Sequence, residues 1–116
     1  LRDVRRLRDG RSTLVLVTTY WNVFEDGDVA QSDRGATYLR WSDGLTRRLN
    51  DGIERAARAE HALPVDLYAP FKADGGRDPT PLLAGGGDHP NAAGHRVIAS
   101  ALLAATPTSP AGSTAN

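Results

Sequence analysis

The segment with the strongest chemical signal in this 116-residue sequence is 88–95, Asp-His-Pro-Asn-Ala-Ala-Gly-His. It follows three consecutive glycines, and Pro90 favours the first position of a helix because its missing N–H needs no partner there. The positive end of a helix dipole disfavours a protonated imidazole, and a general base requires a neutral imidazole that is held in place. The pattern therefore predicts a neutral His89 held at the entry to a helix, as a general base requires.

The elements that must position this histidine alternate between strands and helices. Residues 13–19 form an uninterrupted apolar, β-branched run, which is typical of a parallel strand buried on both faces. A shorter strand is predicted over 64–68, and apolar residues at helical spacing predict helices from Ala36 to about His61 and from Pro90 to about Ala105. Residues 1–11 fit the end of a helix, and 20–35 and 69–87 are predicted as long loops. Strands that alternate with helices predict an α/β fold with a parallel sheet.

Residues 88–99 resemble the last conserved block of the SGNH hydrolases, also called the GDSL-like lipases and acylhydrolases, and the resemblance extends more weakly back to about Ser12. It implies a three-layer α/β/α, flavodoxin-like fold with a five-stranded parallel sheet. This chain would supply about the last two strands of that sheet and their helices. Residues 1–105 are then the C-terminal part of a single hydrolase domain. Residues 106–116, rich in Pro, Ser and Thr, are predicted to be a disordered tail or linker.

The same resemblance implies the chemistry. The family's histidine before the proline is the base of a Ser-His-Asp arrangement, which assigns that role to His89. The nucleophilic serine and the oxyanion-hole residues of the family are expected upstream, so the 116-residue segment alone is expected to be inactive. Four serines ahead of the tail lack the turn context of a nucleophile: Ser12, Ser32, Ser42 and Ser100.

The acid that orients the histidine is left open by the sequence. The family places an aspartate three residues before the histidine, and Gly86 stands there in this chain. Asp88 is the nearest acid, although adjacent side chains in an extended segment diverge, and an aspartate just before Pro90 also suits a helix N-cap. Asp74, Asp78 or a backbone carbonyl are the alternatives, and His95 is expected to be a packing or surface residue.

A second candidate group follows the first predicted strand, where Tyr20, Trp21 and Asn22 stand in sequence. Ligands of parallel α/β sheets bind at the carboxyl ends of the strands. These side chains are therefore predicted to bind substrate beside His89, as the wall of an acyl or aryl pocket. The alternative is that they cover the sheet edge as ordinary core.

Composition narrows the classes of partner. With 14 basic and 14 acidic residues the net charge is zero, which gives no case for nucleic acid or an anionic membrane. There is no cysteine and no apolar run of membrane-spanning length. Asp88, His89 and His95 match no familiar zinc spacing, so no metal or other cofactor is expected. The expected partners are a small-molecule ester and the upstream half of the same domain.

Two hypotheses from different classes follow. In the first, the protein is a serine esterase that acts on an acyl ester of a lipid, a sugar or a small alcohol, with His89 as base. In the second, it is a non-catalytic fragment or a degenerate relative that acts as a binding module, which Gly86 and the missing nucleophile favour. The chain begins Leu1-Arg2-Asp3 without an initiator methionine and looks internal, so the compartment is undecided, although the Thr/Ser/Pro tail is compatible with export.

Overall fold

The computed structural model describes residues 1–8, 11, 13–73 and 76–107 of the chain. Most of the predicted tail, from residue 108 onward, lies outside the described residues, as do Ser12 and Asp74. The elements follow the order α1 (Arg2–Leu7), β1 (Leu16–Thr18), α2 (Gly27–Ala59), β2 (Leu63–Val65), α3 (Tyr68–Lys72), a 3-10 turn (Thr80–Leu82) and α4 (Ala92–Ala105).

The sheet confirms the prediction of parallel strands. β1 and β2 pair in parallel with Leu16 opposite Leu63 and Thr18 opposite Val65. The strands are shorter than the apolar runs that predict them, and the side chains of β1 are only half-buried. Leu14, just before β1, is exposed, so the burial on both faces that the sequence predicts is not reached within the described residues. The physical reason is that the described residues form a sheet of two strands, which leaves apolar surface of β1 uncovered.

α2 begins earlier than its apolar spacing predicts, within the segment that the sequence assigned to a loop. Asp26 is the N-cap, and its carboxylate accepts a hydrogen bond from the Gly27 amide. Gly35 interrupts the helix with φ 80° and ψ 173°, a conformation that glycine adopts without strain. The periodicity of the sequence therefore found the long part after Gly35 and missed the short part before it.

The second predicted loop also contains regular structure. Tyr68, assigned to the second strand from the sequence, begins α3 instead, and Thr80–Leu82 forms a 3-10 turn. Helix α4 packs on that turn, on α3 and on β2. Phe71 of α3 is fully buried, and Val65 and Leu67 are buried as well. Among the described helices, none combines the length and the apolar character that crossing a membrane requires.

Candidate functional site

The loop that carries His89 is a closed turn. We call residues 84–91 the His89 loop. Leu83 and Pro90 face each other as an antiparallel bridge at its base. The Ala84 amide donates to the His89 carbonyl at 2.8 Å, and the Gly87 amide donates to the Ala84 carbonyl at 2.9 Å. The backbone of His89 is thus held by main-chain hydrogen bonds inside the loop.

The helix that follows begins at Ala92, two residues later than the sequence predicts. Asn91 is the N-cap of α4, and its side-chain oxygen accepts hydrogen bonds from the amides of Ala93 and Gly94. Its side-chain nitrogen donates to the carbonyls of Pro81 and Leu83. Pro90 does not open the helix and Asp88 does not cap it, contrary to these two predictions, because Asn91 has both the acceptor and the extended backbone of a cap. His89 therefore lies two residues before the cap.

Asp88 and His89 contact each other directly. Nδ1 of His89 lies 2.9 Å from Oδ1 of Asp88, and the two side chains are 79% and 51% exposed. The expectation that adjacent side chains diverge does not hold here, because the chain turns at Gly87 (φ 72°) instead of running extended. The hydrogen bond from His89 lowers the pKa of the Asp88 carboxyl. A proton on Nδ1 that faces Asp88 leaves Nε2 as the acceptor nitrogen of a neutral ring.

The other acids considered for this role lie elsewhere. Asp78 accepts hydrogen bonds from the amide and the hydroxyl of Thr80, and Asp74 is outside the described residues. Gly86, at the position where the family has its aspartate, lies close to the pair. A Cβ built on Gly86 would stand 3.0 Å from Oδ1 of Asp88. A side chain at position 86 would therefore compete with Asp88 for the same space.

The serines of the described chain are parts of helices, and His95 is a surface residue. Ser32 and Ser42 lie within α2 and Ser100 within α4, none of them at a strand-to-helix turn. Ser42 is fully buried and donates to the carbonyl of Leu39. His95 is exposed on α4. The placement of the nucleophile upstream of this segment remains a prediction.

Tyr20 and Asn22 contact α2, and Trp21 contacts α3. Tyr20 is 46% exposed, and its main chain exchanges two hydrogen bonds with the amide of Asn50. Trp21 stacks on Phe71 with ring centroids 4.5 Å apart. Its indole N–H is buried and, among the described residues, is the one buried side-chain polar atom without a hydrogen-bond partner.

Asn22 is 3% exposed and fully engaged in hydrogen bonds. Its oxygen accepts from the Phe24 amide and from the Thr46 hydroxyl, and its nitrogen donates to Asp26 and Ser42. These contacts fit the alternative stated above for this segment, in which it belongs to the core.

A buried charged cluster stands beside these residues, and the sequence analysis missed it. Lys72, the only lysine of the chain, lies 2.7 Å from Oδ2 of Asp26 and 3.1 Å from Oδ1 of Asp43. The hydroxyl of Tyr68 donates to the same oxygen of Asp43 at 2.6 Å. We call Asp26, Asp43, Tyr68 and Lys72 the Lys72 cluster. The available signal in the sequence was a single lysine among thirteen arginines, directly after the aromatic residue Phe71.

Burial and hydrogen bonds shift the pKa values of this cluster. Burial acts to raise the pKa of Asp43, but hydrogen bonds from Tyr68, Arg47 and Lys72 outweigh it, and the pKa of Asp43 is lowered. Burial raises the pKa of the Tyr68 hydroxyl, and its hydrogen bond to Asp43 raises it further. At neutral pH Asp43 is therefore a carboxylate, and Tyr68 keeps its phenolic proton.

A cavity of about 460 Å³ adjoins the Lys72 cluster. Its lining comes from the start of α2, from the turn of α2 after Gly35, from the end of α3 and from residues 76–79. The carboxyl ends of β1 and β2 lead into α2 and α3, which line the cavity. This is the edge at which parallel α/β sheets bind ligands. Charged side chains dominate its lining, including Arg40, Arg77 and Asp28 besides the cluster.

Main-chain contact links the Lys72 cluster to the His89 loop. The Asp26 amide donates to the Gly87 carbonyl at 2.8 Å. A Cβ built on Gly87 would lie 2.7 Å from the Asp26 carbonyl oxygen, so the two segments approach as closely as a glycine permits. Searching the described residues for three or more His, Cys, Asp or Glu side chains arranged to hold a metal finds no such group.

Comparison with known proteins supports one family. A family model described as the GDSL-like Lipase/Acylhydrolase family matches residues 3–97, more than half of the chain. No match was found among curated proteins or among solved structures.

Proposed function

Because the chain belongs to the GDSL-like lipase/acylhydrolase family, we propose that the protein is a serine esterase in which His89 is the general base. The observation that carries the proposal is the contact between Nδ1 of His89 and Oδ1 of Asp88 at 2.9 Å. The residues matched by the family model include this pair. An imidazole whose Nδ1–H is held by a carboxylate presents Nε2 as a base, which is the arrangement a Ser-His-Asp hydrolase requires.

In the proposed reaction, a serine hydroxyl from the upstream half of the domain attacks the ester carbonyl while Nε2 of His89 takes its proton. The carbonyl oxygen becomes an oxyanion, and its collapse breaks the bond to the alcohol, which leaves with the proton from His89. Water then repeats the sequence on the acyl-enzyme and releases the acid. Asp88 keeps the ring oriented and stabilises the imidazolium that forms at each transfer.

The remaining assignments are part of the same proposal. The two-stranded sheet is the end of the five-stranded sheet of a three-layer domain, whose missing strands cover the exposed side of β1. Residues 1–105 belong to that domain, and 106–116 form its tail. Tyr20 and Trp21 contribute to the wall of the substrate pocket, whereas the hydrogen bonds of Asn22 favour a structural role for it.

The substrate of the proposed enzyme is a small-molecule ester, and the reaction needs no cofactor. The exposure of His89 in this chain leaves its ring accessible to a nucleophile that comes from another part of the protein.

The test uses a fluorophosphonate label and burst kinetics with p-nitrophenyl acetate on the full-length gene product and on the 116-residue chain. We expect labelling of a serine upstream of residue 1 in the full-length product, a burst of p-nitrophenol, and neither result with the short chain. A full-length product that is folded yet neither labels nor turns over contradicts the proposal. Turnover by the short chain that is lost in His89→Ala contradicts the upstream serine.

A second function, binding without catalysis, is favoured by Gly86 at the position where the family has an aspartate. Retained affinity for ester analogues in the absence of any labelling would establish it.

A further inference from the structure

The amine of Lys72 is fixed by its surroundings. Its side chain is 7% exposed, and two carboxylates hold its Nζ: that of Asp26, the N-cap of α2, and that of Asp43, within α2. A charged amine is stable in such a place only while its partners stay in position, because removal from water is costly without them. The position of Lys72 and that of Asp26 therefore determine each other.

Asp26 contacts two parts of the molecule at once. Its side chain accepts from Lys72, from the Asn22 amide and from the Gly27 main chain. Its own main-chain N–H donates in the other direction, to the Gly87 carbonyl of the His89 loop. Contacts of its carboxylate thus fix the position of Asp26, and the main chain of Asp26 in turn supports the His89 loop.

From Gly87 the hydrogen bonds continue to the histidine. The Gly87 amide donates to Ala84, and the Ala84 amide donates to the carbonyl of His89. The positive φ of Gly87 and its close approach to the Asp26 carbonyl leave this junction little room to shift. The ring of His89, by contrast, is 79% exposed, so its placement depends on the main chain beneath it.

We propose that Lys72 is a positioning residue, which holds the His89 loop in place through the side chain and the backbone amide of Asp26. The proposal rests on the proposed function for its catalytic consequence, since a displaced His89 matters to the reaction only as its base. The contact chain itself is independent of that function.

The experiment compares hydrogen exchange of residues 84–91, measured by mass spectrometry, with ester hydrolysis in variants of the full-length gene product. In Lys72→Met we expect exchange of the His89 loop to rise at least tenfold and kcat to fall at least tenfold, with KM changed less than twofold. Arg58→Met is the control, because it breaks an exposed ion pair with Glu54 on the same helix. It should change neither loop exchange nor kcat.

A second pair of variants separates positioning from general stability and covers the case in which Lys72→Met does not fold. Asp26→Asn and Asp43→Asn each remove one carboxylate from Lys72, but only Asp26 bonds to the loop. With each variant folded by circular dichroism, we expect faster loop exchange in Asp26→Asn and unchanged loop exchange in Asp43→Asn.

Equal loop exchange in these two variants, or unchanged loop exchange in a folded Lys72→Met, would overturn the proposal. If the wild type neither labels nor turns over, the proposed function fails while the exchange measurements still decide the role of Lys72.

Discussion

Two acid–base groupings in this chain differ in what surrounds them. Asp88 and His89 form a pair at the surface, where the ring and the carboxylate are more than half exposed. In the Lys72 cluster, the side chains of Lys72 and Asp26 are 7% and 4% exposed. The exposed pair can reach a reactant but adds little to stability, because water screens it. In the buried cluster the charged groups are engaged with one another, and the fold depends on keeping these charges paired.

The largest expected effect breaks the exposed pair and is seen in activity alone. In the full-length gene product, His89→Gln should lower kcat/KM on the order of a thousandfold, because general-base catalysis contributes about 10²–10⁴. The melting temperature should stay close to that of the wild type, since the side chain is exposed. The control is His95→Gln, which alters an exposed histidine on the following helix. Equal activity of the two variants would contradict the assignment of His89.

The next effect, in the buried cluster, is seen in stability. Lys72→Met leaves Asp26 buried without its cation, and breaking a buried pair from one side costs about 3–5 kcal/mol of unfolding free energy. Arg58→Met removes an exposed pair and should cost less than about 1 kcal/mol. Urea unfolding of both variants measures the difference. Similar losses of unfolding free energy in Lys72→Met and Arg58→Met would show that the buried ion pair stabilises the fold no more than an exposed one.

A smaller effect tests which acid serves His89. Asp88→Asn should lower kcat about tenfold to a hundredfold, in proportion to one lost charge-assisted hydrogen bond worth about 1.5–3 kcal/mol. The double variant Gly86→Asp/Asp88→Ala restores a carboxylate at the position where the family has one and removes the carboxyl group of residue 88, whose Oδ1 would stand 3.0 Å from a Cβ at position 86. We expect it to recover most of the activity. If Asp88→Asn is as active as the wild type, Asp88 does not orient the base.

The sequence singled out His89 and named Asp88 among its candidate acids without choosing between them, and it missed the buried cluster altogether; the physical reason is the range of the contacts. Asp88 contacts its neighbour His89, and Asn91 caps amides two and three residues further on, so a local motif contains these partners even though it does not reveal the turn at Gly87. Lys72 is 46 residues from Asp26, and no local pattern encodes that contact.

The fold shows the same division. The parallel pairing of strands and the end of α4 at Ala105 follow from apolar runs and helical spacing, and the structure confirms both. The start of α2 does not, because the helix turns sharply at Gly35 and its first part has no apolar stripe of its own. The sequence offered Asp88 as an alternative cap of α4, but Asp and Asn are both good cap residues, and Asn91 is the cap in the structure.

The smallest expected effect is the response of the two regions to acid. The pKa of Asp43 is lowered by hydrogen bonds from Tyr68, Arg47 and Lys72 that outweigh burial, and the pKa of Asp88 is lowered by its hydrogen bond from His89. A lowered pKa in the folded state means that the carboxylate stabilises the fold above its unfolded pKa, near 3.8, and that this contribution is lost as the pH falls through the folded value. Protonation of either carboxylate below about pH 4 therefore lowers the stability of the fold.

Their amplitudes should differ, because Asp43 is held by three donors and Asp88 by one exposed ring. Urea unfolding from pH 6 to pH 2 should show wild type and Asp43→Asn converging in stability as the pH drops below 3.8, the unperturbed value for the carboxyl. Asp88→Asn should follow the wild type throughout, since water screens the exposed pair. A stability gap between wild type and Asp43→Asn that stays constant to pH 2 would show that the loss in this variant comes from packing rather than from the charge of Asp43.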